Sequence, residues 1–129
     1  MGNNVTTVHN IPSWLDDETC ALIRDTVTLL CERHPELLAM ILYGSVARHE
    51  ERTIDDSHPS DVDLLAVFAI DDNPMRLPFS LAVSRTLVMA LERHLAAPRD
   101  INVMLASRTL REWDETFLAN VARDGIVLY

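Results

Sequence analysis

A chain of 129 residues, 48 % of them hydrophobic, is long enough for one domain with its own core and needs no disulfide or structural metal to close it. Eleven Arg and no Lys face twenty Asp plus Glu, a formal net charge of −9; this disfavours a nucleic-acid backbone as direct partner and leaves guanidinium as the cationic clamp available to a phosphate. No apolar run approaches the roughly 18 residues of a membrane span, and the polar start Met1 to Pro12 lacks a basic lead and an apolar signal core, so a soluble cytoplasmic protein is expected.

Behind that polar lead (1–12), the whole of 1–129 reads as one domain. Ser13-Trp14-Leu15-Asp16 has the form of a capping box, and Asp17 and Glu18 suit the first turn of a helix. Leu22, Ile23, Val27, Leu30 and Cys31 then recur at helical spacing until His34-Pro35, which predicts a helix over 14–34. Cys20 and Cys31 both fall in it, roughly 16 Å apart at about 1.5 Å per residue, too far for a disulfide. Leu37 to Tyr43 is a short apolar run suited to a buried strand, closed by Gly44-Ser45, and Val46-Ala47-Arg48 starts a short helix. His49 to Ser60 is almost wholly polar and reads as a loop. Asp61 to Phe68 (DVDLLAVF) is a second strand, with bulky apolar residues on both faces, as a central strand requires.

After a turn at Asp71-Asp72-Asn73-Pro74, Val83, Leu87, Ala90, Leu91 and Leu95 predict a helix over 78–95, which Pro98 stops. Ile101 to Leu105 is a third strand. Thr109-Leu110-Arg111-Glu112 again resembles a capping box, with Leu110, Trp113, Phe117 and Val121 on one helical stripe, and Asp124-Gly125 turns into a last short strand, Ile126 to Tyr129. The expected fold class is α+β: a small mixed sheet with flanking helices, without the βαβ alternation and GxGxxG turn of a dinucleotide-binding fold.

Asp61 and Asp63 are the central candidates for chemistry. Residues i and i+2 of a strand share a face, roughly 6.5 Å apart, so both carboxylates can converge on a divalent cation. Without one, their repulsion and the apolar strand around them make ionisation costly. A DxD alone says little: with twelve Asp in the chain about one such spacing arises by chance, and a solvated strand start explains it equally well. Gly44 lets backbone approach a ligand, Ser45 adds a hydroxyl beside helix-start N–H groups, and Arg48 lies within reach of the same anion, although a Gly-Ser turn is also commonplace. Asp100, just before the third strand, is either a third acid for the cluster or a surface acid paired with Arg99.

Together, LYGSVAR, SDVDLLAVF and RDINVML resemble the nucleotidyltransferase superfamily with a DNA polymerase β-like palm, and within it the minimal nucleotidyltransferases of bacteria and archaea. The resemblance runs from about Leu37 to Tyr129. It departs in the interval between Ser45 and Asp61, fifteen residues here and shorter in the small relatives, and in His49, where relatives often carry Gly. A longer polar loop costs little free energy.

The resemblance implies roles for these residues. Gly44 and Ser45 would hold the β- and γ-phosphates of ATP or another nucleoside triphosphate, with Arg48 neutralising them. Asp61, Asp63 and Asp100 would be the catalytic acids, binding two Mg²⁺ ions. Transfer of AMP to a tyrosine of a HEPN-domain toxin, with this chain as the antitoxin of the pair, is the implied function. Because the chain stops at the catalytic core, the acceptor is expected to dock from outside or across a homo-oligomer interface. Nucleotidylation of a small hydroxylated molecule such as an aminoglycoside, and neutralisation of a partner by binding alone, are the alternatives.

Overall fold

Along each apolar strand, alternate residues point to opposite faces, and here both faces are covered. The computed structural model describes residues 8–129, in the order α1 (Asp17–Arg33), β1 (Leu37–Tyr43), α2 (Gly44–Ala47), β2 (Val62–Phe68), α3 (Phe79–Arg93), β3 (Ile101–Ser107), α4 (Glu115–Asp124) and β4 (Ile126–Val127). They build a mixed sheet of strand order β3-β2-β1-β4, in which β1 is antiparallel to β2 and β4, and β2 is parallel to β3. This is the α+β class expected. No helix among the described residues is long and apolar enough to cross a membrane.

Val62, Leu64, Ala66 and Phe68 of β2, with Met40 and Leu42 of β1, pack with Ile23, Val27 and Leu30 of α1 and Val83 of α3 in the main core. The other parity, Leu65 and Val67 of β2 with Ile41 and Tyr43 of β1, packs with Trp113 and with Phe117 and Val121 of α4. Asp63 has this second parity. It therefore stands on the α4 side of the sheet, at the end of the row formed by Leu65 and Val67.

The helix starts differ from those the sequence suggests. α1 is capped by Asp16, whose carboxylate accepts the Thr19 N–H at 2.9 Å, so the helix begins three residues beyond Trp14. Trp14 instead donates its Nε1–H to the Val46 carbonyl and stacks on His49. Thr109 does not cap α4 either; Asp114 does, accepting from Phe117 N–H. Leu110 sits at φ 59, which no helix start tolerates, and Glu112 reaches back to accept from the Ser107 N–H and hydroxyl. Burial alone would raise the Glu112 carboxyl, but these bonds from Ser107 outweigh it and hold the pKa below the usual value. The glutamate that looked like half of a capping box in fact fastens the end of β3.

The last predicted strand, Ile126 to Tyr129, runs on past β4: Leu128 N–H donates to Met40 O, and Met40 N–H donates to Tyr129 O. His9 N–H donates to Leu128 O, so the described part of the polar lead continues the pairing outward. Met1 to Thr7 lie outside the described residues. Cys20 and Cys31 are both on α1, pack against the main core and form no disulfide, as their spacing requires.

Candidate active site

Tyr43, the last residue of β1, pairs with Asp63 in the antiparallel register, and the chain leaves the sheet at Gly44 with φ 80. That left-handed conformation is the one glycine adopts freely. The turn also passes close to the neighbouring acid: a Cβ built on Gly44 would lie 2.5 Å from Asp63 Oδ2. A side chain at this position would force the carboxylate to shift. α2 follows at once, with Val46 buried and Arg48 at its end. His49, at φ 57, occupies the left-handed region and is stacked against the Trp14 ring at 4.3 Å.

β2 and β3 bring the other half of the site. Their parallel register sets Asp63 opposite Asn102, and Asn102 Nδ2 donates to Asp61 Oδ2 at 3.1 Å and to Asp63 Oδ1 at 3.4 Å. One amide thus bridges both carboxylates. Asp61 is exposed and Asp63 half-buried. Burial and the charge of Asp61 push the Asp63 pKa up, while the Asn102 hydrogen bond and the Arg48 charge pull against that, leaving a net rise. The same neighbourhood acts on Tyr43, whose phenol is pushed up to about 12 by burial and by the Asp63 charge.

Arg48 donates through Nε to Glu50 at 2.9 Å and lies 4.0 Å from Asp124. With Tyr43, Gly44, Phe117, Asn120 and Asp124 it lines a cleft of about 200 Å³ between the Gly44 turn and α4. Ser45 is partly exposed at the start of α2.

Five of the six residues singled out from sequence, Gly44, Ser45, Arg48, Asp61 and Asp63, therefore cluster where the ends of β1 and β2 meet. Asp100 does not complete that cluster. It is exposed, level with Asp61 one step before the Val62–Ile101 pair, and its carbonyl accepts the Val62 N–H. Among the described residues no three His, Cys, Asp or Glu side chains come together to hold a metal. The inward third position belongs to Asn102. Arg99 is not a surface partner for Asp100 either; it is buried and donates through Nη1 to Ser60 O at 2.7 Å. Sequence reasoning passed over Asn102, although a polar Asn inside the apolar run INVML was a visible signal.

The donor set suits a hard divalent cation: carboxylate oxygens that share a face, repel each other and are already bridged by the positive end of an amide.

Neither a family model nor a curated protein matches the chain. Solved structures do. A chain of a crystal structure described as a toxin–antitoxin with AMP-PNP shares the fold at a TM-score of 0.54 and 19 % identity, with 88 % of this chain and 73 % of that one covered. A chain of a mutant toxin–antitoxin MntA-HpeT, carrying two Asp-to-Glu substitutions, aligns with a TM-score of 0.53 and 17 % identity over the same shares. At these identities the likeness establishes the fold.

Proposed function

We propose that this chain is a Mg²⁺-dependent nucleotidyltransferase that moves a nucleoside monophosphate, AMP first among them, from its triphosphate to a hydroxyl of a partner protein. The observation that carries the reading is the convergence of Asp61 and Asp63 on one amide beside a glycine turn that leaves Asp63 uncovered. The toxin–antitoxin neighbours supply its setting: one was crystallised with AMP-PNP, and the other was altered at two aspartates spaced i, i+2, the spacing of Asp61 and Asp63. The partner is accordingly a toxin, of the HEPN class implied by the sequence resemblance, and the modified group a tyrosine.

In this reading Asp61 and Asp63 would hold Mg²⁺, which when bound neutralises triphosphate charge and polarises the reacting phosphate. Gly44 and Ser45 contact the β- and γ-phosphates, since the bare turn admits backbone close to the carboxylates. Arg48, whose charge is already felt at Asp63, turns from Glu50 to the triphosphate. The acceptor oxygen bonds to the α-phosphorus as the bond to the bridging oxygen of pyrophosphate breaks. Asp100, level with Asp61 in the register, takes the proton from the attacking hydroxyl. Positioning and charge neutralisation do most of the work.

The test is incubation of the purified chain with Mg-ATP and the product of its neighbouring gene, read by intact-mass spectrometry. One added AMP on the partner, lost in an Asp61→Asn, Asp63→Asn variant, supports the reading. Pyrophosphate release with aminoglycosides and none with the partner would move the acceptor to a small molecule. Neutralisation of the toxin by the double variant would replace transfer with binding.

A further inference from the structure

We infer that Asn102 is the third ligand-bearing side chain of the site, an amide that stands in for a cation when none is bound and turns its oxygen to the cation when one arrives. The inference rests on the metal-binding reading of Asp61 and Asp63 given above. Its own support is geometric. Asn102 is the cross-strand partner of Asp63, and its Nδ2 reaches both carboxylates, at 3.1 and 3.4 Å. A group that touches both acids sits where a shared cation would have to sit, or directly beside it.

The chemistry of the carboxamide allows the exchange. Its nitrogen donates and its oxygen accepts, and a half-turn about the last side-chain torsion swaps them. With the carboxylates unmetallated, the N–H groups satisfy them and offset part of their repulsion. With a divalent cation between them, a donor aimed at the site would be repelled, and the carbonyl oxygen becomes a neutral ligand of the kind hard cations accept. Asn102 is exposed, so the side chain has room to turn. No second partner among the described residues ties its amide.

The consequence is a cation held by two charged side-chain ligands rather than three. Such a site holds a free cation weakly and depends on the phosphates of the nucleotide for its remaining ligands. Cation and triphosphate should therefore bind as a unit, with the cation alone binding poorly.

The experiment uses the full chain and Mn²⁺ as the probe, followed by electron paramagnetic resonance of free Mn²⁺, with and without AMP-PNP. Asn102→Leu keeps the volume and removes both polar atoms; Asn102→Asp adds the third charge; Asp63→Asn removes a ligand of the underlying reading. The expected result is Mn²⁺ affinity about 10- to 100-fold weaker in Asn102→Leu with nucleotide present. Asn102→Asp should tighten Mn²⁺ binding without nucleotide at least as much, a gain that a purely structural role for Asn102 would not give. In the wild type, Mg²⁺ should shift the Asn102 side-chain amide resonances and Mn²⁺ should broaden them. Asn102→Leu binding Mn²⁺ as tightly as the wild type, while Asp63→Asn does not, would overturn the role of Asn102 alone. No Mn²⁺ binding in the wild type, with AMP-PNP or without, would overturn the metal-site reading and the role of Asn102 with it.

Discussion

Gly44 and Asp63 are adjoining parts of one device: the carboxylate of the second occupies the space a side chain on the first would need, with the ideal Cβ position of Gly44 2.5 Å from Asp63 Oδ2. Gly44→Ala therefore meets two penalties, a left-handed φ of 80 and a collision with a carboxylate. We expect a loss of about 1–2 kcal/mol in urea denaturation, the usual cost of a side chain in this backbone region. Asp63→Ala in the same background should recover part of it. A strictly additive double variant would show that the two residues are not coupled.

Asp63 itself is a burden on the apo fold. Its folded pKa is raised above 3.8 by burial and by Asp61, so the native state binds the proton more tightly than the unfolded chain. The resulting stabilisation is complete below the unfolded value and disappears as pH rises through the folded one. At neutral pH the ionised group thus opposes folding, and Asp63→Asn should be more stable than the wild type with divalent cations chelated. The gain is within about 1 kcal/mol, because solvent screens a half-exposed carboxylate. It should close on acidification. A wild type more stable than Asp63→Asn at pH 7 would contradict this, and an active site that costs stability would then have to be sought elsewhere.

Arg99 pins the end of the polar loop that leads into β2. Its buried guanidinium holds the Ser60 carbonyl at 2.7 Å, and Ser60 Oγ in turn accepts the Arg52 N–H at 2.7 Å, which closes the loop from His49 to Ser60. Arg99→Met keeps the apolar stem and removes the donor. A loss of about 1.5–3 kcal/mol is expected, the range for hydrogen bonds to charged groups. Hydrogen exchange should rise in 49–60 more than in β2 or β3; uniform exchange across the fold would rule out this pinning role.

The halves of the site differ in how far the sequence discloses them. Gly44, Ser45 and the Asp61–Asp63 pair are local signals: a turn residue and a two-residue repeat mean the same in almost any context. The placement of Asp100 is not local. A slide of β3 by two residues against β2 keeps the alternation of faces intact, so periodicity cannot choose between Asp100 and Asn102 as the neighbour of Asp63. The choice is made by packing, with Ile101 and Val103 seated against the main core and Ala106 against α4. The helix caps fail for a related reason. Thr109 and Glu112 have the spacing of a capping box, but Ser107, at the end of β3, offers Glu112 two donors. The donors at the strand end, five residues back, displace the helix cap.

His34 links α1 to α3 and gives the fold a pH dependence of its own. It caps α1, its Nε2 lies 2.9 Å from Thr86 Oγ1, and Thr86 passes its own proton to Ala82 O at 3.3 Å. The neutral imidazole can take either role in that bond, donor or acceptor, according to its tautomer. Burial lowers its pKa below 6.5, with Arg33 adding to the effect and Glu36, 3.7 Å from Nδ1, opposing it. The unfolded chain consequently binds the proton more tightly. The stability due to the neutral ring is complete above 6.5 and is lost as pH falls through the folded value. Unfolding free energies from urea titrations between pH 8 and 5 should fall for the wild type by an amount on the order of 1 kcal/mol, the scale of one proton-linked group. His34→Gln, which can still donate to Thr86, should be less stable at pH 8 yet show a smaller fall. Parallel curves for the two proteins would mean that His34 is not the group that titrates.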